Sequence, residues 1–81
     1  MPTPEAIRET LLQLAGERGP NKTFCPSEAA RRLDADQWRD LMPEVHRQAH
    51  NLIKEGRLSA SQKGQALHTW PPSGPYRLQK L

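Results

Sequence analysis

Eighty-one residues allow one small domain with a modest core and leave little room for a deep catalytic cleft. Twelve Lys and Arg against nine Asp and Glu give a net charge of +3 and an isoelectric point near 9.5, which favours polyanionic partners without requiring them. The single cysteine, Cys25, excludes an internal disulfide, no apolar run approaches the ~20 residues of a membrane span, and the first ten residues lack the basic start and apolar stretch of a signal peptide. We therefore expect a cytoplasmic protein with no membrane partner.

Thr3, Pro4 and Glu5 have the order of an N-cap, a first-turn proline and a dipole-matched acid. They open a helix expected to run to about Ala15, with Ile7, Leu11, Leu14 and Ala15 on one face. Gly16 and the stretch Arg18 to Thr23 end it with turn formers, and Phe24 and Cys25 lead inward as a short extended segment. CPSEAARRL, from Cys25 to Leu33, carries a second helix of about two turns with Ser27 as its expected cap. Asp34 to Gln37 makes a polar break. Trp38, Leu41 and Met42 then stand at helical spacing, a short turn before Pro43 restarts the chain.

The segment Pro43 to Gly56 is the most fully specified of all. Pro43 and Glu44 suit a helix start, Lys54 suits its last turn, and Gly56 suits the left-handed residue beyond its end. At 100° per residue, Val45, Ala49, Leu52 and Ile53 share one side, and Arg47, His50, Asn51 and Lys54 gather on the other. A guanidinium, an imidazole, a carboxamide and an ammonium are the groups that meet phosphates and base edges, although charged helix faces also exist simply to stay wet. Helix, tight break and longer helix with a polar outer face is the order of a helix-turn-helix.

After Gly56 the period changes. Arg57 to Gln62 alternates, Lys63 and Gly64 supply a turn, and Gln65 to Trp70 returns, which predicts a β-hairpin with a polar, cationic tip. Leu58, Ala60, Leu67 and Trp70 are candidates to cover the end of the main helix. Pro71, Pro72, Gly74 and Pro75 interrupt further pairing, and Tyr76, Arg77 and Leu78 form a short extended end able to dock on the sheet. The sum is a mainly α fold with a small β-hairpin: a winged helix-turn-helix of three helices and a C-terminal wing.

The runs CPSEAARRL, WRDLMPEVHRQAHNLIKEGRL, SQKGQAL and GPYRL span nearly the whole chain. In this order they resemble a small bacterial winged-helix family known only as a domain of unknown function, the 3253 family. The resemblance implies the fold and brings no catalytic residues to carry over, so it raises the prior for DNA binding by analogy of fold alone. One departure stands at His46, where the family pattern leads us to expect arginine.

The chemical alternatives are thin. His46 and His50 stand one helical turn apart, but no Cys-x-x-Cys or His-Glu-x-x-His supports a metal, so no metal or cofactor is expected. Cys25 between Phe24 and Pro26 reads as a small apolar residue before it reads as a nucleophile, and Ser27 and Glu28 read as helix-start residues before a catalytic pair. Trp38 and Trp70 are candidate stacking platforms, with core packing the simpler role, above all for Trp38. We expect no enzyme. The expected function is duplex DNA binding, with Arg47, His50, Asn51 and Lys54 in the major groove, Lys63 and Gln65 at the wing, and Arg39, with Arg31 and Arg32, on phosphates. The alternative is a module for a protein partner or a homodimer.

Overall fold

Thr3 Oγ1 accepts the Ala6 N–H at 3.1 Å and Pro4 takes the first position, so α1 starts where the spacing predicts. This is a computed structural model describing residues 1–81, and in it α1 spans Pro4–Arg18, past the expected end at Ala15. Gly16 is exposed and costs propensity without breaking the hydrogen-bond ladder, and the stop comes at Gly19, whose φ of 76° suits glycine and whose N–H caps Ala15 O. Ile7, Leu11, Leu14 and Ala15 are all buried, as their shared face requires.

β1 spans Thr23–Phe24 and α2 spans Pro26–Leu33. The cap of α2 is Cys25, not Ser27: Pro26 fills the first helical position, and the Glu28 carboxylate reaches back to the Cys25 N–H at 2.9 Å. Asp34 Oδ1 then accepts the N–H groups of Asp36 and Gln37, which fixes the polar break as a tight turn.

α3 runs unbroken from Trp38 to Lys54, so the expected restart at Pro43 does not occur. Pro43 lies one turn inside the helix with its ring in solvent; it forfeits a single backbone bond there, while Leu41, Val45, Ala49 and Leu52 on the opposite side are all buried. At the far end Gly56, at φ 77°, donates to Ile53 O at 3.0 Å and Arg57 donates to Leu52 O at 2.9 Å, the paired closure that a left-handed glycine permits.

β2 (Leu58–Gln62), β3 (Gln65–Ala66) and β4 (Arg77–Lys80) complete an antiparallel sheet of order β1-β4-β2-β3. The return strand is shorter than the expected Gln65 to Trp70. It leaves the ladder after Leu67, whose N–H still meets Ala60 O at 2.9 Å, and the longer partner of β2 is β4. Leu78 of β4 pairs with Phe24 on one side and Ala60 on the other, and all three are buried beneath the helices. The last strand of the chain is therefore the one that binds the sheet together. Three helices and a small four-stranded sheet, mostly helical, are compatible with a winged helix.

The core draws on every element except β3, from Ile7 in α1 to Leu78 in β4. Ala29, Ala30 and Ala49 are fully buried, and such small side chains let α2 pack close on α3. No helix is long and apolar enough to cross a membrane.

Candidate nucleic-acid interface

The buried stripe of α3 leaves its opposite side to Arg39, Arg47 and Lys54, all exposed, with Asn51 half-buried beside them. Arg47 keeps 72% of its side chain in solvent and has only a loose partner, Glu44, at 3.5 Å. Lys54 has no ion-pair partner. Three other arginines are committed within the fold: Arg8 to Glu55 at 2.6 Å, Arg18 to Glu28 at 2.7 Å and Arg32 to Glu17 at 2.8 Å. Each pairing raises the guanidinium and holds its carboxylate below the usual range through a direct hydrogen bond. Arg32 thus differs from Arg31 and Arg39 in already having a carboxylate partner.

His50 is engaged through the face of its ring. Its ring lies flat against Trp70, centroids 4.7 Å apart and planes within 7°, and Trp70 in turn meets Tyr76 edge-on at 5.1 Å. His46 Nδ1 lies 2.7 Å from the Tyr76 hydroxyl. The segment from Leu67 to Pro75 thus straps across one flank of α3. Gln62 fastens it from the sheet, its carboxamide donating to the carbonyls of Ser73, Gly74 and Pro75. This is why the return strand ends early: burying Trp70 and satisfying the prolines' neighbours outweighs a few more ladder bonds. Neither the strap nor the aromatic chain was visible as a local motif, although the alternation of Trp, Pro and Tyr with two histidines on α3 is its trace in the sequence.

The turn between β2 and β3 presents Lys63, at φ 51°, and Gln65, both exposed. Trp38 is half-buried against the core and also carries two cations: the Arg31 and Arg39 guanidinium carbons lie 4.4 and 4.5 Å from its ring centroid. In the sequence the three residues share no motif. Arg31, seven residues before Trp38, comes into reach only because the Asp34 turn folds α2 back on α3.

The residues weighed as chemical alternatives have partners within the fold. Cys25 and His46 line one cavity of about 260 Å³ with Ser27 and Tyr76, but Cys25 Sγ lies 3.1 Å from Ser27 Oγ and His46 is engaged by Tyr76. Burial lowers the His46 pKa and pushes the Tyr76 hydroxyl above the ordinary phenol range, with the nearby Cys25 a second cause. No three His, Cys, Asp or Glu side chains come together as a metal-binding group. Glu28 bonds both Arg18 and the Cys25 backbone, so it is occupied at the helix start.

The family model described as "Protein of unknown function (DUF3253)" matches residues 4–80. Among curated proteins none matches the chain.

Proposed function

We propose that this chain, which belongs to the DUF3253 family, is a cytoplasmic winged-helix protein of bacterial type that binds duplex DNA, with α3 in the major groove and the Lys63 turn on the backbone. The observation that carries the reading is the character of the surface. The outward side of α3 offers Arg39, Arg47 and Lys54, and the exposed large apolar side chains of the whole chain are Met1 and Leu81 at its two ends. Arg39, Arg47, Lys54 and Lys63 supply phosphate attraction, Gln65 adds a polar contact beside Lys63, and Asn51 is the group able to read an adenine edge. His50, its ring face held by Trp70, keeps its ring nitrogens for a base edge.

A protein partner or a second copy is the weaker reading. Trp70 and Tyr76, the aromatics that would anchor such a contact, are spent on α3 of the same chain. We assign the chain no catalysis.

The test is a fluorescence titration of random-sequence duplex at about 50 mM and about 200 mM salt. Four phosphate contacts give a log–log salt slope near −3.6, so affinity falls roughly a hundredfold across that range. Binding that ignores salt, or no binding at the lower concentration, overturns the reading.

A further inference from the structure

We propose that Arg31 and Arg39, splinted by the ring of Trp38, form a two-guanidinium site for the phosphodiester groups of a nucleic acid at the corner where α2 turns into α3. The proposal rests on the DNA-binding reading and extends it to a second contact region with a named positioning residue.

The corner is built. Asp34 spends its carboxylate on the N–H groups of Asp36 and Gln37, which sets the last turn of α2 beside the first turn of α3. Trp38 is anchored by its packing on the core, so the two guanidiniums against it share a fixed support and lie no more than about 9 Å apart. Neither arginine belongs to any of the four ion pairs, although Asp36 and Asp40 stand close by in sequence. Two like charges held together in solvent repel, and the ring quadrupole offsets part of that cost. A phosphate accepted by these forks offsets the rest. Because guanidiniums lie against the indole, the ring acts as a splint and not as a platform for a base.

Geometry favours a long polyanion over a single small anion. Arg39 and Lys54 are separated by 15 residues, roughly 60° around α3 and about 22 Å along it, with Arg47 between them. The corner therefore continues the outward stripe of α3 rather than facing another way. A planar guanidinium fork fits phosphate oxygens in pairs, and two forks on one splint fit neighbouring groups of one backbone.

The experiment is the same duplex titration at several salt concentrations, applied to Arg31→Gln, Arg39→Gln, Trp38→Phe, Trp38→Leu and, as a reference, Lys54→Gln. With Arg31 engaged, the wild-type slope is near −4.5, and each arginine variant shallows it by about 0.9 and weakens binding several-fold at low salt. Trp38→Leu weakens binding with the slope unchanged, since the charges remain but their placement is lost, and Trp38→Phe restores most of the affinity. The arginine variants alter only surface side chains, so they decide the matter even if Trp38→Leu fails to fold. Arg31→Gln that binds like wild type while Arg39→Gln and Lys54→Gln are weakened overturns the corner site and leaves the DNA reading standing. Absence of binding by every variant and by wild type overturns both. Equal competition by polyglutamate overturns the phosphodiester assignment.

Discussion

The Tyr76 hydroxyl and His46 Nδ1, thirty positions apart in the chain, meet at 2.7 Å and tie the start of β4 to the middle of α3. Tyr76 is only 5% exposed and its ring also meets Trp70 edge-on, so one residue joins core, strap and helix. Tyr76→Phe keeps the ring contacts and deletes the bond. It is expected to cost about 1 kcal/mol, lowering the melting temperature by roughly 4–8 °C. Tyr76→Leu, which loses the edge contact as well, is expected to cost more, and thermal unfolding by circular dichroism ranks the two.

The same pair sets a pH dependence. Burial penalises the charged imidazole and lowers the His46 pKa in the folded chain, whereas the unfolded chain titrates near 6.5. As pH falls below about 6.5 the unfolded chain takes up its proton first, so stability is full above that value and declines below it until the folded imidazole also protonates. A second decline begins below about 4.5, where the unfolded chain's glutamates take up protons, and ends as Glu17, Glu28 and Glu55, held low by Arg32, Arg18 and Arg8, protonate in the folded chain and lose their pairing. The second step involves solvent-exposed pairs and shrinks with added salt; the first persists. In His46→Gln the first step is expected to vanish from a plot of unfolding free energy against pH, with the second unchanged.

Gln62 gives a separate handle on the strap, because its carboxamide reaches three consecutive carbonyls there. Gln62→Leu is expected to speed amide exchange at Leu67, His68, Thr69 and Trp70 while leaving Val45 and Ala49 in α3 protected. Global stability is expected to change by about 1 kcal/mol or less, since the bonds are exposed. Equal acceleration at Val45 and Ala49 would mean that the strap and the core open as one unit.

Much of this arrangement was legible in the residues. The caps at Thr3 and Gly56, the buried faces of α1 and α3 and the polar outer side of α3 follow from local rules of spacing, charge and backbone preference. The misplaced features have non-local causes. Pro43 carries a breaker signal that the packing of Leu41 and Val45 overrides, and Gln65 to Trp70 alternates like a strand until Trp70 finds His50. The pairing of Arg31 with Trp38 depends on a turn that no periodicity describes. Of the candidate site, the exposure of Arg39, Arg47, Lys54, Lys63 and Gln65 matches the sequence pattern; the capture of His50 by Trp70 does not.

Pro43 itself offers a stabilising substitution. Inside α3 it cannot donate to the carbonyl one turn earlier, at Arg39, and its ring faces solvent, so Pro43→Ala restores a backbone bond without disturbing the core. Freeing the unfolded chain returns about 0.4–1 kcal/mol of that gain. A net rise in stability of roughly 1–2 kcal/mol is expected by urea denaturation at constant m value.

Lys54 and Asn51 separate attraction from reading on the same helix. Lys54 is exposed and unpaired, and a lysine acts on phosphate as a point charge, so Lys54→Ala is expected to weaken binding to every duplex alike and to shallow the salt slope by about 0.9. Asn51 is half-buried and uncharged, and its carboxamide contributes nothing to counterion release. Asn51→Ala is therefore expected to leave the slope and the random-duplex affinity unchanged while reducing discrimination within a selected pool of sites by about 1–3 kcal/mol. Selection of binding sites from a randomised library by both proteins checks this. If wild type and Asn51→Ala enrich the same sequences to the same degree, Asn51 does not read a base, and the specificity of this helix lies with other side chains.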